Sequence, residues 1–253
     1  MSEFHVREAP TSTQDSSPRV KPTPKTSKIQ GSFSYTPSDD GTDENLLILL
    51  HGLGDTEIPF SKMGKSLKLP QTAVLALRAP EQVPFLYEEA YQWYTSFDDL
   101  GETITRPNPT TALQFLSKII DHLNKDCTWP ISRIHFFGFA QGGSVAAEFG
   151  IYWWKSRSKA STSGNAEGAQ AESFGSIISV SGSLLSYPTL SSLCPTPVLI
   201  VHRSPPAETA LPADAVNSFK KAYQSVVESQ LGAKPAGMPA SRQEWEPVCN
   251  VSA

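Results

Sequence analysis

An α/β domain built on a mostly parallel, doubly wound sheet is the architecture this sequence predicts, and three observations carry that prediction. Short continuous apolar runs recur along the chain, as strands buried on both faces require. Segments with helical apolar spacing stand between them. Two of the runs end in glycine-rich turns, and open sheets of this class bind ligands at the carboxyl ends of their strands.

Leu46 to Leu50 is the first run, and residues 59–68 follow with a short helical pattern. Thr72 to Leu77 is the second run. Residues 110–125 set Leu113, Leu116, Ile120 and Leu123 on one helical face. Ile134 to Phe139 reads as the third strand, Gln141 to Trp154 as a helix, and Phe174 to Val180 and Pro197 to His202 as the fourth and fifth strands. Asp214 to about Ser229 predicts another amphipathic helix, with Val216, Phe219, Tyr223 and Val226 or Val227 inward. Strands alternating with helices imply right-handed crossovers and helices on both faces of the sheet. From Gly232 the chain is short and proline-containing, which predicts a shortened C-terminal strand and helix. Missing cover there would expose part of the sheet and predicts low thermal stability.

The organisation expected is a tail over residues 1–43, one domain over 44–248 and a short tail over 249–253. Thirteen of the first thirty residues are Ser, Thr or Pro and only five are large and apolar, too few to offset the entropy of ordering them. Ser17-Pro18, Thr23-Pro24 and Thr36-Pro37 are candidates for proline-directed phosphorylation or are simply the residue pairs common in such tails. Residues 155–172 hold no apolar side chain larger than alanine and predict a mobile insertion. A net charge of −4 argues against nucleic-acid binding by bulk phosphate attraction. No apolar run reaches the length of a transmembrane helix, and the N-terminus lacks the apolar stretch of a signal peptide. Three widely spaced cysteines, Cys127, Cys194 and Cys249, form neither a disulfide framework nor a zinc pattern. A cytoplasmic protein with reduced thiols is expected, with the nucleus open to it as well.

The two glycine-rich strand ends are Leu50-His51-Gly52-Leu53-Gly54-Asp55 and Gly138-Phe139-Ala140-Gln141-Gly142-Gly143. The second resembles a nucleophile elbow, Gly-x-Ser-x-Gly, whose glycines leave room for a strained strand-to-helix turn. The first resembles an oxyanion loop, a His-Gly turn that aims a backbone N–H at the reacting carbonyl. With Arg78-Ala79-Pro80, Trp93-Tyr94 and Ser181-Gly182, they make the chain resemble the phospholipase/carboxylesterase family of α/β-hydrolases over roughly residues 44 to 245. That family includes the acyl-protein thioesterases, cytosolic serine hydrolases that cleave thioesters and carboxyl esters. The resemblance implies an α/β-hydrolase fold with oxyanion donors at the N–H groups of Leu53 and Gln141. It implies that Trp93 lines the acyl pocket, with Tyr94 beside it, and that no cofactor or metal is needed.

The departures from the family are in the catalytic residues. Ala140 holds the nucleophile position, and a methyl group cannot attack a carbonyl. The triad of this fold runs Ser…Asp/Glu…His along the chain, yet no histidine follows His202. In Gly237-Met238-Pro239-Ala240-Ser241, which resembles the turn carrying the family's base, Ala240 stands in its place. In the turn from Arg203 to Glu208, where the acid belongs, Glu208 is the only carboxylate. An engineered Ser→Ala trap would explain Ala140 and nothing else; a misread C-terminus would leave Ala140 unexplained. Ser144, one helical turn on, reads as a small packing residue. Cys127, before Trp129, and Cys194, before a strand, read as loop cysteines without a histidine base. His51 reads as a brace for the oxyanion turn, His202 as structural, and Asp55 and Asp98 as loop anchors. Losing the nucleophile or histidine of such a triad costs on the order of a millionfold in kcat, and a residual ~10³–10⁴ over water can survive from the oxyanion site. The expected function is therefore a pseudohydrolase that binds an acyl or acylated ligand, or a protein partner. The alternatives are an active carboxylesterase or acyl-protein thioesterase, and a scaffold that works through its tail and the 155–172 segment.

Overall fold

The structure is a computed structural model that describes residues 19–84, 88–163, 172–235 and 237–251, without the side chains of 158–163 and 249–251. Its strands are β1 (Phe33–Thr36), β2 (Asn45–Leu50), β3 (Thr72–Leu77), β4 (Glu81–Gln82), β5 (Tyr91–Gln92), β6 (Ile134–Phe139), β7 (Ser176–Val180), β8 (Val198–Arg203) and β9 (Val226–Leu231). Its α-helices are α1 (Glu57–Leu67), α2 (Thr110–Lys125), α3 (Gln141–Ser163), α4 (Ala215–Lys220) and α5 (Arg242–Val251). Seven strands form one sheet in the order β1-β3-β2-β6-β7-β8-β9. All its pairings are parallel except β1 on β3. This is the predicted doubly wound α/β sheet.

Alternation along the strands sorts the apolar residues into two layers. Leu46, Ile48 and Leu50 of β2 face a core closed by α2, α3 and α4, through Leu116, Ile120, Phe149 and Phe219. Leu47 and Leu49 face the other core with Phe60 of α1 and Trp245 and Val248 of α5. Both faces are covered, which is why β2 and β3 read as unbroken apolar runs.

The expected tail over 1–43 does not hold for residues 19–43; residues 1–18, with Ser17-Pro18, lie outside the described residues. β1 caps the outer edge of β3, with Phe33 opposite Leu77 and Thr36 opposite Val74. The segment before it is fixed at a few points. Lys21 N–H donates to Asp43 (2.9 Å) and Lys25 N–H to Nε2 of His122 (3.1 Å), while Ile29 is buried in the main core. Composition misleads here because two residues, Pro24 and Ile29, are buried and anchor the segment, while Val20 stays exposed. Ile29→Ala is expected to cost roughly 2–5 kcal/mol in urea unfolding, as for other buried aliphatic truncations. An unchanged midpoint would mean that this segment contributes nothing to the fold.

Two further expectations are corrected. Residues 155–163 continue α3 and are not a loop. Arg157 stacks over Trp153 (4.4 Å) and reaches Asp121 of α2 (3.6 Å), which gives this exposed turn partners. Residues 164–171 lie outside the described residues. The helix predicted over 214–229 stops at Lys220, and Val226–Leu231 is instead β9, parallel to β8. Cys194 N–H donates to Ala222 (2.8 Å) and Gln224 N–H to Cys194 (2.9 Å), and the Tyr223 hydroxyl bonds the Ala147 carbonyl. These tertiary contacts turn the chain toward the open edge of β8, where Val226 and Val227 suit a strand. The C-terminus is therefore not shortened as expected: a six-residue strand and a ten-residue helix close the sheet. Trp245 of α5 stacks on Phe137 of β6 at 5.8 Å, so the premise for low thermal stability falls away. Residues 249–251 belong to α5 rather than to a tail.

Candidate functional site: an oxyanion turn facing an alanine elbow

The two glycine-rich turns follow β2 and β6, which are neighbours in the sheet, so the topology places them side by side at one carboxyl edge. His51 is buried behind the first turn. Its Nε2 accepts the Ala79 N–H (2.9 Å) and so carries no proton; Nδ1–H therefore donates to the Gly52 carbonyl (2.7 Å). Burial lowers the His51 pKa below its ordinary value. A neutral ring with both nitrogens committed is a brace and not a general base. Trp93 lies fully buried behind the same turn, its indole N–H on the His51 carbonyl (2.8 Å) and its ring against His51 (5.5 Å between centroids). Gly54, at φ +79°, donates its N–H to Tyr91 of β5 (2.9 Å). Leu53 is left partly exposed, and its N–H has no acceptor among the described residues.

The elbow keeps its strained turn without a nucleophile. Ala140 has φ +49°, a left-handed conformation that costs a non-glycine residue about 1–2 kcal/mol. It is held by Ala140 N–H to Val180 (2.8 Å) and Ser144 N–H to Ala140 (3.0 Å). The glycines are needed for close approach. A Cβ on Gly138 would meet the Gly142 carbonyl oxygen at 2.2 Å, and one on Gly142 would meet the Leu50 oxygen at 2.3 Å. The buried Gln141 side chain ties the elbow to the segment after β5: its oxygen accepts Trp93 N–H (2.9 Å), and its amide donates to the Tyr94 carbonyl (3.0 Å) and Ser96 Oγ (2.7 Å). Its backbone N–H opens α3 beside Ala140. Tyr94 is buried beside Ser144, and burial raises its phenol pKa.

The places of acid and base hold no catalytic pair. Glu208 is exposed in the turn after β8. Ala240, after β9, donates its N–H to Glu244 (2.7 Å). Glu244 in turn receives two bonds from the fully buried Arg203 (2.8 and 3.0 Å), which also donates to the carbonyls of Met238 (2.7 Å) and Gly232 (3.3 Å). The loop that resembles the base-bearing turn is thus clamped by an ion pair. Ser144 is buried beside Tyr94. Burial raises the thiol pKa of Cys127 and of Cys194, so neither is poised as a thiolate. Asp55 and Asp98 anchor loops as expected, through the N–H groups of Thr56 (2.8 Å) and of Leu100 and Glu102 (2.9 Å each). His202 is buried against Glu228 (2.9 Å).

The sequence reading missed Arg203, Glu244 and two hydroxyls. Ser181 follows β7 at φ +55°, next to the elbow, and Thr209 follows β8. Both hydroxyl oxygens are buried without a hydrogen-bond partner among the described residues. The Ser181-Gly182 pair was a signal for the first; nothing marked Thr209. Among the described residues no three His, Cys, Asp or Glu side chains gather to hold a metal, and no helix is long and apolar enough to cross a membrane.

A family model described as phospholipase/carboxylesterase matches residues 34–244. An uncharacterized hydrolase of Mycosarcoma maydis is 39% identical over 219 residues, which is 85% of this chain and 78% of that protein. An uncharacterized hydrolase of Schizosaccharomyces pombe is 35% identical over 116 residues, 42% of this chain and 47% of that protein. Among solved structures, esterase PE8 superposes with a TM-score of 0.65 at 19% identity, over 86% of this chain and 95% of its own. Acyl-protein thioesterase 2 of Zea mays does so with 0.60 at 17% identity, over 87% and 99%. At such identities the structural likeness shows the fold.

Proposed function

Since the chain belongs to the phospholipase/carboxylesterase family of hydrolases, we propose that it is a member that has lost ester cleavage and uses the retained oxyanion turn to hold an acyl carbonyl or carboxylate, free or on an acylated protein. The observation that carries this reading is Ala140, a residue with no nucleophilic atom in a turn that is still held at φ +49°. The N–H groups of Leu53 and Gln141 flank it as donors for an oxygen. Trp93 is fully buried and braces the oxyanion turn from behind, so it does not line an acyl pocket as the resemblance implied. The reading gains weight from Ala240, whose position carries only a backbone N–H bonded to Glu244. Without nucleophile or base, what the site keeps is shape and two donors.

The test sets the purified protein beside an Ala140→Ser variant, with a medium-chain p-nitrophenyl ester and an acyl thioester as substrates. Neither protein is expected to exceed a heat-killed control, because an unassisted serine is a weak nucleophile at neutral pH. Turnover by the unmodified protein overturns the reading. Turnover by the variant alone reveals a base that the residues described above do not supply. Saturable binding of a non-cleavable long-chain acyl analogue is expected, and its absence removes the acyl half of the proposal.

A further inference from the structure

Residues 79–105 contain six acidic residues and no lysine, arginine or histidine, in a chain whose whole net charge is −4. Residues 39–57 carry a second set of six acidic residues, and Arg78 and Arg106 bound the 79–105 segment. That segment is the one fastened to the site. Gly54 N–H of the oxyanion turn bonds Tyr91, and the Gln141 side chain of the elbow bonds Trp93, Tyr94 and Ser96.

Beyond Ser96 the chain makes a braced hairpin. Phe97 pairs with Thr103, Asp98 N–H donates to Glu102 (2.9 Å), Ile104 N–H donates to Ser96 (2.8 Å), and the Asp98 carboxylate holds the N–H groups of Leu100 and Glu102. The bracing holds apolar side chains in solvent: Leu100 is 85% and Phe97 49% exposed, and Leu53 on the turn opposite is 39% exposed. Asp99 and Glu102 stand beside Leu100 with no cation partner among the described residues. Exposed apolar residues in a rigid hairpin suit an interface, and the charge around them selects what docks. An anionic lipid surface is repelled, whereas a cationic chain is steered in.

We propose that the 96–104 hairpin is the docking surface for a cationic polypeptide segment that presents its acyl group to the site. Lysine or arginine side chains of the partner face Asp99 and Glu102, and an apolar residue packs on Phe97 and Leu100. The proposal rests on the reading of the site as an acyl holder.

The full-length protein is titrated with a fluorescent peptide carrying a non-cleavable S-hexadecyl cysteine between lysines. The same peptide with glutamates for lysines and the lysine peptide without the alkyl chain serve as comparisons. The lysine alkyl peptide is expected to bind roughly tenfold tighter than its glutamate counterpart at low salt, the yield of a few rim ion pairs. The difference should shrink toward nothing at ~1 M salt, where the Debye length is ~3 Å. Asp99→Lys with Glu102→Lys should reverse the preference, and Leu100→Ser should weaken both alkyl peptides, with the melting temperature unchanged. Equal binding of the two alkyl peptides overturns the docking surface and leaves the acyl site standing. Lysine peptides that bind alike with and without the alkyl chain, and lose binding in the charge-reversed variant, keep the surface and overturn the acyl site. Preference for phosphatidylserine vesicles over the lysine peptide also overturns the proposal.

Discussion

Glu244→Gln is expected to destabilise the protein by about 3 kcal/mol, the lower end of what removing one partner of a buried ion pair costs. Arg203 is 0% and Glu244 13% exposed at the side chain. Arg203 ends β8 on the same face as Leu199 and Val201, pointing into the core closed by α5. Without the carboxylate the Arg203 charge stays buried beside the carbonyls of Gly232 and Met238, and Ala240 N–H loses its strongest acceptor. For a domain of this size the expected fall in melting temperature is roughly 6–12 °C. Lys234 reaches the same carboxylate at 2.8 Å but is 51% exposed, so Lys234→Ala should cost under ~1 kcal/mol. Equal losses in the two variants would mean that the buried geometry does not set the strength.

The same pair predicts a pH dependence. Arg203, then Lys234 and the Ala240 N–H, hold the Glu244 carboxyl well below the usual carboxylate range. The folded pKa lies below that of unfolded Glu, about 4.3. The contribution is therefore complete above that pH and is lost as the pH falls toward the folded value. Below pH ~4.3 the urea midpoint of the unmodified protein should drop more steeply than that of Glu244→Gln.

Gly142→Ala is expected to cost about 3 kcal/mol or more, at or beyond the usual range for overpacking. The added Cβ would stand 2.3 Å from the Leu50 oxygen and 2.6 Å from the His51 oxygen. Those atoms belong to the end of β2 and cannot rotate aside as a side chain would. Gly232→Ala is the control, since a Cβ there meets nothing within 4 Å, and its effect should stay within about 0.5 kcal/mol. A tolerated Gly142→Ala would mean that the crossing of α3 over β2 is looser than described. The contrast also explains why an elbow pattern outlasts its nucleophile. Gly138, Gly142 and Gly182 are required by the approach of backbone to backbone, whatever residue stands at 140.

The parallel strands were legible because burial on both faces imposes a local signature, an unbroken apolar run such as Leu46 to Leu50. The oxyanion turn and the elbow were legible because close approach demands glycine at fixed offsets. Trp93 reads in the sequence as a pocket wall, but the fold buries it behind the turn it supports. Tyr223, Val226 and Val227 fit a helical period, but strand pairing at the edge of β8 decided their conformation. The tail composition concealed β1, since four residues that complete a sheet edge need little apolar surface of their own.

The sequence by itself determined the layered α/β core, its two glycine turns and the absence of a nucleophilic atom at Ala140, because each is written in neighbouring residues; the pairing of β2 with β6, a tertiary contact, set the turns side by side. Tertiary structure alone decided that Arg203 meets Glu244 across forty-one residues, that Gln141 fastens the 93–96 segment to the elbow, and that His51 is locked as a neutral brace. The physical reason is that a hydrogen bond or ion pair between distant residues leaves no periodic trace in the chain, and its strength is set by burial that only the assembled fold creates.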